Sequence, residues 1–83
     1  MISKDTIRQY IIETLLDNSV DSIDDGEDLL ISGLLDSLNV MKLAGHLEQE
    51  CNFSIPAGDI ILENFSTLEN INGYVQARAA QAG

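Results

Sequence analysis

The sequence predicts an all-α domain: an irregular four-helix bundle of three long helices and one short one, with a long loop between the first and second. Two observations carry that expectation. Three stretches place apolar residues at helical spacing, and no segment shows sustained strand alternation between turn signals. Eighty-three residues form a single domain, 1–83, with a flexible tail expected from about residue 79. A chain of this size buries only ~60–65% of its unfolded surface, so its core must be well used. With no Trp, two Phe and two Tyr, that core is aliphatic.

The first helix runs from about Lys4 to Asp17, with Ile7, Ile11 and Leu15 at i, i+4, i+8 and Tyr10 beside them. Ser3 suits its N-cap, and Lys4 and Arg8, one turn apart, form a small basic spot. The connection from about Asn18 to Leu35 is long for so small a domain and must be pinned. Ile23, Leu29, Leu30, Leu34 and Leu35 are its apolar anchors. The second helix begins near Asp36–Ser37 and ends near Cys51–Asn52, with Val40, Leu43, Ala44, Leu47 and Cys51 on its core face. Pro56 interrupts what precedes it. Asp59 is then placed to cap a short turn carrying Ile60 and Ile61. Ser66-Thr67-Leu68-Glu69 reads as a capping box opening the last helix, whose face is Leu68, Ile71, Val75 and Ala79.

Fourteen Asp and Glu against four Lys and Arg leave a formal net charge of −10. That surface repels phosphate backbones and anionic membranes, which argues against nucleic acid, and it attracts basic protein partners. No stretch approaches the ~18 apolar residues of a membrane span, so no membrane insertion is expected. The first residues show no signal-peptide pattern, and one cysteine cannot form an intramolecular disulfide. A cytoplasmic monomer is the expectation.

The candidate chemistry narrows quickly. In the acidic run Asp21 to Asp28, setting Gly26 at loop position six puts Ile23 at position three and Ser32 at position twelve. Both lack the ligand a calcium loop needs, so a solvated acidic loop is the better reading and no metal site is expected. His46 lies roughly 140° around the helix from Cys51. A Cys–His pair is therefore not formed, Cys51 being a core residue and His46 a solvent-facing one. No catalytic residue is assigned, and the chain does not read as an enzyme.

Ser37 stands out. It opens a helix whose free amides and macrodipole favour a negative group. Taken alone, Ser37 also reads as a helix cap. Relative to Val40, Leu38 and Met41 point off the core face by roughly 160° and 100°, forming a second apolar face beside the serine. That face either docks a partner or lies under the long loop. No base adjoins Ser37, which suits a residue modified by another enzyme better than a nucleophile.

At Gly33-Leu34-Leu35-Asp36-Ser37-Leu38 the chain closely resembles the acyl carrier proteins, whose hallmark is Asp-Ser-Leu at the start of the second helix. Asp28-Leu29, Leu47-Glu48, Ile55-Pro56 and the run from Glu63 to Val75 extend the resemblance over nearly the whole chain. It implies that Ser37 receives 4′-phosphopantetheine from coenzyme A, and that the thiol of this arm carries an acyl or aminoacyl thioester. It also implies that Asp36, Leu38, Met41 and Glu48 form the partner-recognition surface. The implied partners are a phosphopantetheinyl transferase, an acyl- or aminoacyl-loading ligase, and downstream synthase enzymes with basic docking patches. Asn39 and Lys42 stand where fatty-acid carriers usually have carboxylates, and Cys51 where a bulky aromatic is common. Together with the long segment after Pro56, the loss of those carboxylates favours a carrier dedicated to a polyketide, peptide or modified fatty-acyl pathway. The alternatives are a housekeeping fatty-acid carrier, or an unmodified interaction module of the same fold.

Self-repulsion of the acidic surface has a testable consequence. Exposed charges are screened over ~8 Å at physiological ionic strength. Added salt should therefore raise the melting temperature, and calcium and magnesium should act alike at millimolar concentration. A calorimetric titration showing tight, stoichiometric calcium binding would refute the solvated-loop reading.

Overall fold

Ser3 opens the first helix: its hydroxyl accepts the Thr6 amide at 3.2 Å, which satisfies a donor that the first turn leaves free. In the computed structural model, which describes residues 2–82, helix α1 spans Lys4–Tyr10 and continues as a π-helical turn over Ile11–Leu15. Helix α2 spans Ser37–Cys51, a 3₁₀ turn follows at Ala57–Asp59, and α3 covers Leu62–Phe65. Helix α4 runs over Leu68–Ala82. The fold is all-helical among the described residues, with three helices of seven residues or more, as the apolar spacing predicts. Helix α4 packs against α1 and α3, and α2 packs against the π turn.

The π turn corrects the expected face of the first helix. The Leu16 amide reaches back five residues to the Ile11 carbonyl at 2.9 Å. The buried series therefore becomes Ile7, Ile11, Leu16, and Leu15 is left half-buried. Asp17 and Asn18, both at positive φ, end the element. The predicted core face of α2 is buried at Val40, Leu43, Ala44 and Leu47, with Cys51 half-buried. Leu68, Ile71 and Val75 of α4 are fully buried around Phe65. Helix α4 continues to Ala82; the tail expected from about residue 79 ends at Gly83, which lies outside the described residues.

Two caps differ from expectation. Thr67, not Ser66, caps α4: its Oγ1 accepts the Asn70 amide at 3.0 Å. Ser66 still belongs to the last turn of α3, where its amide donates to the Leu62 carbonyl and its own carbonyl accepts the Leu29 amide at 2.7 Å, so the capping box does not form. Asp59 does not cap a turn at Ile60 and Ile61. It ends the 3₁₀ turn, Ile61 is extended, and α3 begins one residue later.

The long loop from Leu16 to Asp36 is ordered by its own residues. Ile23, Leu29 and Leu35 are buried, while Leu30 and Leu34 are half-buried. Two of its acids have structural tasks. Asp28 Oδ1 accepts the amides of Leu30 and Ile31, closing a turn that Gly33 leaves at φ 84°. Asp25 accepts Lys4 at 2.6 Å and also Arg8, which bonds Asp5 as well. The Asp25 carbonyl accepts the Glu69 amide at the start of α4. The basic spot at Lys4 and Arg8 is thus paired with Asp25 of the loop and Asp5 of α1, so the loop is not simply solvated. Among the described residues no cluster of three or more His, Cys, Asp or Glu could hold a metal ion. Nor is any described helix long and apolar enough to cross a membrane.

The hydrogen bonds from Lys4 and then Arg8 hold the Asp25 carboxyl below the usual carboxylate range. A carboxyl with a lowered pKa in the fold stabilises it above the unfolded value of ~4, and that contribution is lost as pH falls through the folded value. Asp25→Asn should therefore lower the melting temperature at neutral pH, and the gap to the native chain should close in acid. A gap that is constant from pH ~7 to below ~3 would show that the carboxylate charge is not the cause.

Candidate functional site

Helix α2 begins where it does because Asp36 caps it. The Asp36 side chain accepts the Asn39 amide at 2.8 Å and its carbonyl accepts the Val40 amide at 3.0 Å. The cap is Asp36 and not Ser37, which leaves the Ser37 hydroxyl exposed as the first helical residue. The amides of Ser37 and Leu38 start the helix with no preceding turn to receive them, so the position favours a phosphate.

Ser37 stands on the rim of a cavity of about 660 Å³. Leu35, Val40, Met41, Ile60 and Phe65 are among the apolar side chains that line it. Ile60 to Leu62, which also line it, follow Asp59, itself held by two hydrogen bonds. Asp59 accepts the Tyr74 hydroxyl at 2.7 Å on one carboxylate oxygen and the Asn64 side-chain nitrogen at 2.8 Å on its carbonyl. Burial first, and then this hydrogen bond, push the Tyr74 phenol up to about 12.

The second apolar face of α2 is exposed and not covered by the loop: Leu38 and Met41 are 63% and 58% accessible. The structure adds three apolar side chains that sequence reasoning did not single out as surface. Ile31 is 83% exposed on the loop, and Ile61 and Leu62 are 45% and 61% exposed at the start of α3. Asp36 and Ser37 are exposed beside them. Glu48 is turned to another purpose, its Oε2 accepting the Ile55 amide at 2.8 Å while the residue is half-buried.

His46 is not solvent-facing. Its ring stacks on Tyr10 with centroids 3.7 Å apart and planes 7° from parallel, joining α2 to α1. Cys51 is a half-buried free thiol packed against the core. Neither side chain adjoins the Ser37 cavity.

Capping and exposure separate Asp36 from Ser37. Asp36→Ala should cost ~0.5–2 kcal/mol of stability through the lost cap. Ser37→Ala should leave urea unfolding almost unchanged. Equal losses in the two variants would mean that Ser37 shares the cap.

The geometry fits an attached phosphopantetheine: an exposed hydroxyl, a helix N-terminus favouring phosphate, and an apolar hollow alongside. Comparison with known proteins agrees. The family described as phosphopantetheine attachment site matches residues 5–75. A D-alanyl carrier protein of Streptococcus suis (strain 98HAH33) is 32% identical over 74 residues, covering 88% of this chain and 91% of that protein. Its counterpart from strain 05ZYH33 is 31% identical over the same shares. The chain belongs to the phosphopantetheine-binding carrier proteins, a family of carriers and not of catalysts.

Proposed function

We propose that this chain is a dedicated carrier modified on Ser37, holding an acyl or aminoacyl group for the enzymes of one specialised pathway. The observation that carries this reading is the exposed Ser37 hydroxyl at the capped start of α2, on the rim of an apolar cavity. When bound, the phosphopantetheine arm supplies a terminal thiol that holds the cargo as a thioester. The protein's own residues position and select. Asp36 sets the helix start, the first amides of α2 face the phosphate, and Val40, Met41, Ile60 and Phe65 offer an apolar surface to whatever lies beside Ser37.

Ser37 has no histidine beside it, His46 being engaged with Tyr10, so its modification falls to a separate phosphopantetheinyl transferase. A loading ligase then supplies the cargo. The name of the streptococcal relatives supports an aminoacyl cargo, and the apolar lining of the cavity supports an acyl group with an apolar tail. The absence of carboxylates in the first turn of α2 supports a dedicated role over fatty-acid elongation. A free, half-buried thiol at Cys51 is consistent with a reducing, cytoplasmic setting.

Incubation with coenzyme A and a broad-specificity phosphopantetheinyl transferase should add the mass of one phosphopantetheine to the native chain and none to Ser37→Ala. Modification that persists in Ser37→Ala would move the attachment site elsewhere.

A further inference from the structure

Tyr74 of α4 touches the segment from Asp59 to Phe65 at both of its ends. Its hydroxyl donates to the Asp59 carboxylate at 2.7 Å. Its ring lies against that of Phe65, with centroids 5.9 Å apart and planes tilted by 47°. Between those two residues run Ile60, Ile61 and Leu62, which line the cavity beside Ser37. The segment is also drawn back on itself, because the Asn64 side chain donates to the Asp59 carbonyl at 2.8 Å.

What lies between the ends has little regular structure of its own. Ile61 is extended, and α3 is only four residues long. A single helical turn is marginal by itself, so its place depends on what holds its ends. Phe65 is fully buried, so packing fixes the far end. The near end rests on the hydrogen bonds of Asp59. Burial first, and then the bond to Asp59, push the Tyr74 phenol up to about 12, so it stays a donor throughout the neutral range. Without that donor the half-buried Asp59 carboxylate gains by turning to water, and Ile60 follows it in the chain.

Resting on the Ser37 reading, we infer that Asp59 and Tyr74 are a positioning pair for the cargo. Their hydrogen bond holds Ile60 to Leu62 against the cavity, so that the apolar tail of an acyl group on the Ser37 arm is enclosed and its thioester kept from water. Neither residue lines the cavity or adjoins Ser37, so the pair acts on what the arm carries and not on how the arm is attached. The apolar tail gains by leaving water only while that side of the cavity stays in place.

The experiment loads the full chain with an octanoyl arm from octanoyl-coenzyme A, using a broad-specificity phosphopantetheinyl transferase. Cleavage of the thioester by hydroxylamine is then followed by intact mass. Hydroxylamine reaches only exposed cargo, so the native chain should lose its octanoyl group ~10-fold more slowly than octanoyl-coenzyme A does. Tyr74→Phe keeps the ring on Phe65 and removes the donor; its rate should rise to within ~2-fold of the free thioester. Asp59→Ala should do the same. Asp59→Asn keeps an acceptor oxygen for Tyr74 and should stay within ~2-fold of the native chain. Loading of the arm should proceed at one rate in every chain. An acetyl cargo, with no tail to bury, should be cleaved equally in all of them; a spread would trace the effect to the fold at large and overturn the inference. Helical circular dichroism checks that each variant is folded, and if Asp59→Ala is not, Tyr74→Phe against Asp59→Asn still decides. A Tyr74→Phe chain that shelters the octanoyl group as the native chain does would overturn the role of the pair. So would a native chain that shelters nothing. A native chain that takes up no arm would overturn the Ser37 reading, and this inference with it.

Discussion

Asp25 ties together segments that the sequence keeps far apart. Its carboxylate receives Lys4 and Arg8 from α1, and its carbonyl receives the Glu69 amide at the head of α4. Further along the loop, the Leu29 amide donates to the Ser66 carbonyl, and the Leu29 side chain is fully buried. The long loop is thereby fastened at its middle to both α1 and the start of α4. Exposed ion pairs contribute little singly, but this one shares a residue with a backbone bond and adjoins buried anchors, so its parts act on one geometry. The Asp28 turn, Leu35 and the Asp36 cap all take their positions from that fastening.

The start of α2 shows how the fold frees a residue for chemistry. A serine at a helix start ordinarily spends its hydroxyl on a backbone amide. Here Asp36 takes that task, so Ser37 keeps an exposed hydroxyl at the point where the helix field favours phosphate. The cavity beside it is lined in part by Ile60 to Leu62, which follow Asp59, the acceptor of the Tyr74 hydroxyl of α4. Attachment point, anion-favouring amides and apolar hollow thus come from three different parts of the chain.

The distribution of charge matters more than its total. The acids of the loop are partly internal fittings: Asp25 pairs with both basic residues on α1, and Asp28 holds a turn. The acids of α2 either cap, brace the loop after it or face α1. Beside Ser37, the exposed Asp36 shares the surface with the exposed apolar side chains of Leu38 and Met41.

The three long helices, the core faces of the second and the last and the helix start at Ser37 were legible in the sequence, because a helix face is a local periodicity and Asp-Ser-Leu is a local motif. Val40, Leu43, Ala44 and Leu47 are buried as their spacing requires. Other features depend on partners distant in sequence, and local pattern is silent about them. The π turn at Ile11–Leu15 is a one-residue change in hydrogen-bond register with no mark in composition, yet it moves Leu16 into the core. Ser66 looked like a cap until its carbonyl was claimed by Leu29 and the cap passed to Thr67. His46 faced solvent on a helical wheel until Tyr10 of another element stacked on it. By itself the sequence determined which residues seek the interior and where a modifiable serine opens a helix. Only the tertiary structure decided which charges pair, which amides find carbonyls, and that Leu38 and Met41 stay exposed, because those outcomes depend on where the long loop comes to rest.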